Sequence, residues 1–385
     1  MDHHIIIFYL LLRHESGFIK DIGEQMTKKL SSKVSSVTKN IIGIEPMVAD
    51  LIPSYLGFGN DVYMMGICGV GGLGKTTLAR AIYLTFSDHF EGSCFISNVG
   101  ERSENYGLLG LQQKLLDDIL GESNTKIYDD RMGVEIIKSS GLRHKKVLLV
   151  LDDVNHNYQL ENLAGEHDWF GLGSWIIITT RHEDVLYNHE VLKIYKPNGL
   201  VDDDALKLFC LNAFKNEQPE EGYMQLSQAV VKYANGLPLA LVVLGSHLAR
   251  RTIDEWQSIL HRMTNIEPLE VIKILKISFD GLEEMWKEIF LDIACFFRRW
   301  ETKDRVIQIL ENCGFNARIG ICVLLERSLL TIGDYERLEM HDLVQQMGEK
   351  IVRLEGMHGK QSRFWLIKHL LPVLENDKVR KMIKL

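Results

Sequence analysis

A glycine-rich stretch followed by lysine and threonine lies between an apolar run and a segment with helical spacing. It reads Gly69-Val70-Gly71-Gly72-Leu73-Gly74-Lys75-Thr76-Thr77. Glycines let backbone N–H groups turn around an anion, and a helix that begins near Lys75 directs its positive dipole end at the same point. The order strand, glycine-rich turn and helix therefore predicts a phosphate-binding loop. The alternative is a glycine-rich turn that fits the pattern by chance.

Each polar residue of this loop has a chemical task in such a site. Lys75 is expected to contact the β- and γ-phosphates, and the Thr76 hydroxyl is expected to bind Mg²⁺. The nucleotide-binding residues predicted here share the loop and the start of its helix: Gly69, Gly71, Gly72, Gly74, Lys75, Thr76 and Thr77.

Two carboxylates end the next strongly apolar run. Val147–Leu151 is followed by Asp152 and Asp153, a pattern typical of a central strand whose carboxyl end meets a nucleotide. Asp152 is predicted to hold Mg²⁺, and Asp153 is predicted to act catalytically by orienting or polarising the attacking water. The alternative is a buried strand that ends in a solvated acidic turn. The phosphate-binding loop upstream favours the magnesium site.

An arginine ends another apolar run. Arg181 follows Trp175–Thr180, and an arginine at the end of a strand beside the phosphate site can sense a γ-phosphate through charge-assisted hydrogen bonds. The alternative is an ordinary surface ion pair.

These residues need a parallel sheet to position them. Strand and helix patterns alternate as far as Tyr195, after which the pattern is almost wholly helical. Helices and then two short strands, Leu329–Ile332 and Leu338–Met340, precede the helix Leu343–Arg353, which suggests a winged-helix module. The predicted fold is an α/β P-loop NTPase domain with a parallel sheet, followed by a helical bundle and a winged-helix domain.

The composition limits the classes of protein that fit. The chain has 385 residues and a formal net charge of −8, which argues against a nucleic-acid partner. Six scattered cysteines without a Cys-x-x-Cys pair favour reduced thiols in the cytoplasm. The apolar run Ile5–Leu12 is too short to span a bilayer and lacks the features of a signal peptide, so no membrane span is expected.

An ordered set of motifs resembles the NB-ARC nucleotide-binding module of plant intracellular immune receptors and animal apoptosis scaffolds. Two phrases, Leu148–Val154 and Phe290–Phe297, resemble the plant subclass that carries an N-terminal Toll/interleukin-1-receptor domain and leucine-rich repeats. The full set is Gly69–Thr77, Phe90–Phe95, Leu148–Val154, Gly173–Arg181, Gly236–Ala240, Phe290–Phe297 and Met340–Asp342.

The resemblance implies a nucleotide switch of the STAND type in plant disease resistance. It implies an ADP-bound resting state, an ATP-bound signalling state and slow ATP hydrolysis. By motif position, Pro238 would pack against the adenosine, His341 would contact the β-phosphate of ADP, and Ile41 and Ile42 would lie near the adenine. Without the resemblance, Pro238 reads as a helix-start proline and His341 as a buried, hydrogen-bonded histidine.

The resemblance also implies partners and domain limits. It implies other immune-signalling proteins as partners, self-association in the ATP state, and a place in the cytoplasm, with the nucleus as a second compartment. Glu15–Leu30 resembles only the trailing helix of a Toll-like domain, so that domain and its NAD-cleaving activity are expected to be missing, as are the repeats. The expected segments are an N-terminal remnant and linker (1–39), the P-loop domain (40–195), the helical bundle (196–266), the winged-helix domain (267–355) and an approach to the repeats (356–385).

Two positions depart from the family pattern, and two other functions compete. Trp175 and Gly100 stand where the family usually has a basic residue. A metabolic P-loop kinase or fast ATPase would want a second-substrate lid or a strong catalytic glutamate after the aspartates, where Val154 and Asn155 follow instead. An ATP-dependent transcription regulator would want a basic recognition helix, yet Ile319–Glu326 contains no lysine or arginine.

Overall fold

The computed structural model divides into two compact units, with the boundary between Asn198 and Gly199. The residues described are 33–34, 41–57, 61–121, 126–139, 141–189, 191, 193–263, 271–297 and 301–357. The helix expected over Glu15–Leu30 and the C-terminal segment beyond residue 357 lie outside them. Of the expected N-terminal remnant and linker, the described pair Lys33 and Val34 packs on the first unit: Val34 is buried, and Lys33 forms an ion pair with Asp88 at 2.8 Å.

The first unit is built on a five-stranded sheet in the order β2-β3-β4-β1-β5, with every pairing parallel. The strands are β1 (Tyr63–Cys68), β2 (Gly92–Ile96), β3 (Val147–Val154), β4 (Trp175–Thr180) and β5 (Lys193–Tyr195). The helices are α1 (Ile44–Gly57), α2 (Lys75–Phe86), α3 (Val99–Tyr106), α4 (Leu109–Leu120), α5 (Asp130–Ser139), α6 (Asn157–Leu163) and α7 (Glu183–Asn188). The parallel sheet predicted from the sequence is confirmed.

The sheet is covered on both faces, which explains its unbroken apolar strands. On one face Met64, Leu149 and Ile176 belong to a core that includes side chains of α4 and α6. On the other face Met65 and Val150 pack with side chains of α1 and α2. Because successive side chains of a strand point to opposite faces, both sets must be apolar.

Trp175 belongs to this second core. Its side chain is only 2% exposed, and its ring meets the Phe86 ring edge to face at a centroid distance of 5.3 Å. The position where this chain has Trp175 and the family usually has a basic residue is therefore buried.

In its described residues the second unit is helical apart from one hairpin. Its helices are α8 (Asp202–Ala213), α9 (Met224–Ala234), α10 (Pro238–Leu248), α11 (Ile253–Met263), α12 (Val271–Asp280), α13 (Glu284–Phe296), α14 (Lys303–Asn312), α15 (Ala317–Glu326) and α16 (Asp342–Met357). The hairpin pairs β6 (Thr331–Ile332) with β7 (Leu338–Glu339) in antiparallel register. An apolar core that includes the fully buried Phe290 joins α12–α16 and the hairpin. Helices followed by a hairpin and a further helix match the predicted winged-helix module.

Candidate nucleotide-binding site

The glycine-rich loop links β1 to α2 in a conformation that needs glycine at two positions. Gly72 has φ 78° and Gly74 has φ 89°, in the left-handed region that residues with a side chain rarely adopt. Gly74 is the N-cap of α2, so no side chain caps the helix. Thr76 and Thr77 lie exposed in its first turn. The first-turn N–H groups and the helix dipole therefore meet at an accessible end, which is the arrangement that binds phosphate.

Lys75 is held inside the loop. Its ammonium donates to the carbonyl oxygens of Gly69 at 2.8 Å and Val70 at 2.9 Å, and the residue is 7% exposed. Burial, followed by the nearby Arg181 guanidinium, lowers the pKa of Lys75, although Asp153 and Asp152 oppose this shift. Lys75 is partly desolvated and lies near a second cation. Its ammonium therefore gains more interaction free energy from a bound phosphate than the ammonium of an exposed lysine does.

Sheet order brings the predicted polar residues together. The loop follows β1, the two aspartates end β3, Arg181 follows β4, and β4 lies between β1 and β3. Since all these strands are parallel, their carboxyl ends meet at one edge. The sequence prediction that Lys75, Thr76, Asp152, Asp153 and Arg181 share one site agrees with this arrangement.

Asp152 is the buried acid of the site. It is 0% exposed, and its Oδ1 accepts from Thr76 Oγ1 at 2.8 Å and from Thr179 Oγ1 at 2.7 Å. A hydroxyl and a carboxylate in contact fit Mg²⁺, which uses one or two carboxylates and takes further oxygen ligands from phosphates and water. The described residues contain no cluster of three or more histidine, cysteine or carboxylate side chains of the kind that an all-protein metal cage would need.

Asp153 occupies an unusual backbone position. Its φ is 56°, and β3 is irregular here against β4 between Leu151 and Val154. Its N–H donates to Thr179 Oγ1 at 2.8 Å, and its Oδ1 lies 3.5 Å from Arg181 Nε. The expected sensor arginine and the expected catalytic carboxylate are therefore ion-paired with each other.

A polar network beside the aspartates was not predicted from the sequence. Asn155 Oδ1 accepts from Gln159 Nε2 at 2.6 Å, and Gln159 Nε2 also donates to Ser103 Oγ of α3 at 2.7 Å. A Cβ atom at Gly100 would lie 2.8 Å from the side chain of Asn155. The absence of a side chain at Gly100 thus lets α3 approach the turn that follows Asp153. The signal available in the sequence was Gln159, which lies three residues after the N-cap His156 in the spacing of a capping box.

The residues assigned to the base and the sugar lie elsewhere in the chain. Ile41 is half-buried against the α1 and α2 face of the sheet, and Ile42 is half-buried beside it. Pro238 belongs to the second unit, where it begins α10 after the left-handed residues Asn235 and Gly236. Their contact with a nucleotide stays a prediction.

His341 caps a helix in the second unit. Its Nδ1 accepts from the N–H of Leu343 at 3.2 Å, and its carbonyl oxygen accepts from the N–H of Val344 at 2.8 Å. Because Nδ1 is an acceptor, the neutral ring carries its proton on Nε2. That tautomer presents a donor to a phosphate oxygen, so the cap and the predicted contact are compatible. Asp342 lies in the first turn of α16.

Comparison with known proteins places this site in a known domain. The profile of the NB-ARC domain matches residues 45–219, and that of the Roq1-like disease resistance protein winged-helix domain matches residues 283–356. TMV resistance protein N of Nicotiana glutinosa is 42% identical over 94% of this chain and 32% of its own length. Disease resistance protein RUN1 of Vitis rotundifolia is 42% identical over 91% of this chain and 26% of its own.

The chain carries an NB-ARC domain and a winged-helix domain of the kind found in Roq1-like plant disease resistance proteins. It spans about a third or less of the length of these curated relatives. A STAND protein with a tetratricopeptide repeat sensor from Pyrococcus horikoshii aligns at a TM-score of 0.49 with 17% identity, over 81% of this chain and 42% of that one. Among the described residues no helix is long and apolar enough to cross a membrane.

Proposed function

We propose that this chain is the ADP/ATP-binding switch of a plant immune receptor, with ADP bound at rest, ATP bound during signalling, and slow ATP hydrolysis between them. The observation that carries the proposal is the position of Lys75, held by two loop carbonyls beside the hydrogen-bonded pair Thr76 and Asp152. The matches to the NB-ARC domain and to plant disease resistance proteins support the same conclusion.

The residues at the sheet edge have distinct roles in this proposal. The loop N–H groups and Lys75 bind the phosphates, while Thr76 and Asp152 hold the magnesium ion. Bound Mg²⁺ would neutralise charge on the phosphates. Asp153 orients water, and Arg181 senses the γ-phosphate. The ion pair between Asp153 and Arg181 competes with both roles, which is consistent with slow rather than fast turnover.

The remaining roles concern the base and the switch. Ile41 and Ile42 contact the adenine, Pro238 packs on the adenosine, and Nε2 of His341 donates to the β-phosphate of ADP. The domain limits follow the sequence expectation, with a P-loop domain at 40–195, a helical bundle at 196–266 and a winged-helix domain at 267–355. We place the protein in the cytoplasm, with the nucleus as a second compartment. In the ATP state we expect it to self-associate and to contact other immune-signalling proteins.

The structure gives little support to a DNA-binding regulator. The exposed residues on α15, the helix before the hairpin, are Arg318, Ile319, Cys322 and Glu326. One cation and one carboxylate leave this face without net charge, whereas DNA readers present a basic stripe. Arg327, at the end of the helix, instead donates to the carbonyl oxygen of His247 at 2.7 Å.

The bound nucleotide tests the proposal directly. The purified chain is denatured, and the released nucleotide is identified by chromatography and mass spectrometry. We expect ADP in near-stoichiometric amount, because a resting switch retains it. The stripped chain is then titrated with fluorescent ADP in Mg²⁺. A chain that releases no nucleotide and binds none in the titration would refute the switch.

A further inference from the structure

Thr179 lies where β3 and β4 lose their regular register. Leu151 of β3 pairs with Ile178 of β4, and the next pair is Val154 with Thr180. Between these pairs β3 contains both Asp152 and Asp153, whereas β4 contains only Thr179. One threonine therefore stands opposite two aspartates. Bulges of this kind are frequent next to active sites, where they redirect side chains.

The hydroxyl of Thr179 contacts both acidic residues. It donates to Asp152 Oδ1 at 2.7 Å and accepts from the N–H of Asp153 at 2.8 Å. A threonine hydroxyl has one proton, so its donor capacity is directed at the Asp152 carboxylate. The residue is 1% exposed, and at such a buried position each unmade hydrogen bond is costly.

The two contacts have different consequences. The bond to Asp152 Oδ1 orients the carboxylate from inside the sheet, while Thr76 approaches the same oxygen from the exposed start of α2. The bond from Asp153 supports a backbone conformation that non-glycine residues rarely adopt, with φ 56°. Losing the hydroxyl would disturb the acid assigned to the metal and the acid assigned to the water together.

We propose that Thr179 is a positioning residue that sets the geometry of Asp152 for Mg²⁺ and of Asp153 for water. This inference rests on the proposed nucleotide switch and adds to it a residue that the phosphate-binding loop and the acidic pair do not include. Residues that orient metal ligands through hydrogen bonds typically change metal affinity by about tenfold to a hundredfold when they are replaced.

The neighbouring Thr180 provides a matched control. It is 0% exposed, and its hydroxyl also joins β4 to β3, donating to the carbonyl oxygen of Val154 at 2.6 Å. The same hydroxyl accepts from the N–H of His182 at 3.0 Å, and within the described part of the chain it has no hydrogen bond to either aspartate side chain. Thr180→Val therefore removes a buried hydroxyl bond from the same strand end. Thr179→Val removes the hydroxyl with little change of volume, and Thr179→Ser keeps it.

The experiment measures Mg²⁺ dependence in the full chain, stripped of nucleotide. The Kd for fluorescent ADP is measured over a series of Mg²⁺ concentrations for wild type, Thr179→Val, Thr179→Ser and Thr180→Val. The melting temperature of each protein is recorded as well. For Thr179→Val, the Mg²⁺ concentration that gives half of the Mg²⁺-dependent change in ADP affinity is expected to be about tenfold to a hundredfold higher than for wild type. Thr179→Ser and Thr180→Val are expected to stay near wild type in Mg²⁺ requirement, even where Thr180→Val lowers the melting temperature.

Each outcome separates this inference from the broader proposal. A Thr179→Val chain with the same Mg²⁺ requirement as Thr180→Val would overturn the positioning role, and so would a folded Thr179→Ser that behaves like Thr179→Val. If Thr179→Val does not fold, Thr179→Ala and Thr180→Ala give the same comparison. Wild type that binds no nucleotide would refute the switch itself.

Discussion

Replacement of His341 separates its observed structural role from its proposed functional one. The ring accepts the N–H of Leu343 at 3.2 Å and so caps α16. In the proposed resting state the same ring donates from Nε2 to the β-phosphate of ADP. His341→Ala removes both interactions, whereas His341→Asn keeps a strong capping residue and removes the imidazole.

The two losses differ in size and in the quantity they affect. Loss of an N-cap costs about 0.5–2 kcal/mol of stability. Loss of a hydrogen bond to a charged phosphate costs about 1.5–3 kcal/mol, which corresponds to roughly tenfold to a hundredfold in ADP affinity. Inverting a switch from 1:99 to 99:1 takes about 5.5 kcal/mol, so this one contact can raise the open population without inverting it.

The assay is the release of fluorescent ADP, chased with unlabelled nucleotide in a stopped-flow instrument, together with the melting temperature. We expect faster release from both variants and a lower melting temperature for His341→Ala alone. Asp342→Val is expected to accelerate release in the same direction, since it alters the first turn of the same helix. If His341→Asn releases ADP at the wild-type rate, the phosphate contact is refuted and His341 is a helix cap only.

Three further predictions concern the P-loop unit. Lys75→Met keeps an apolar stem but loses the charge, so fluorescent ADP titration should show affinity lower by at least about tenfold, and an unchanged Kd would contradict the loop assignment. Asp153→Asn should slow single-turnover ATP cleavage by about a hundredfold or more and leave ATP affinity largely unchanged, because general-base catalysis stabilises the transition state. Weaker ATP binding without slower cleavage would show that Asp153 has a structural role. Burial and Arg181 lower the pKa of Lys75 from its usual 10.5. The charged form of Lys75 binds phosphate, so ADP affinity should be highest below this lowered pKa and should fall as the pH rises through it. The fall should begin at a lower pH than it would for an exposed lysine. A pH series should show this fall for wild type, and Lys75→Met should lack it.

The sequence predicted those helices and strands whose type and bounds depend on residues close together in the chain. β4 was predicted at its observed bounds, Trp175–Thr180, because a strand buried on both faces is an unbroken apolar run. The start of α2 at Lys75 was predicted because glycine and lysine chemistry fixes it locally. The predicted helix Leu343–Arg353 is instead Asp342–Met357, so the prediction was wrong only at its ends, where periodicity carries the least information.

What the sequence did not reveal depends on contacts between distant segments. Helix α3, Val99–Tyr106, is polar and has little apolar periodicity. A hydrogen bond from the Gln159 side chain to the Ser103 hydroxyl holds it against the start of α6. The extra residue of β3 opposite Thr179 is likewise a property of two paired strands, since neither strand alone marks where the register shifts. The capping role of His341 was missed because histidine is an uncommon N-cap, and it was read only as a ligand or a core residue.

The end of β4 links the acids of the site to the residue proposed to sense the nucleotide. Thr179 and Arg181 are two positions apart at this strand end: Thr179 contacts Asp152 and the Asp153 backbone, and Arg181 pairs with the Asp153 carboxylate at 3.5 Å. Under the proposed function, an arginine that turns toward a γ-phosphate must loosen that ion pair. Asp153 would then become available to water only when ATP is present, while ADP, which lacks the γ-phosphate, would leave the pair closed. A switch built this way ties its hydrolytic carboxylate to the ATP-bound state, because the ion pair has to open before Asp153 can act on water.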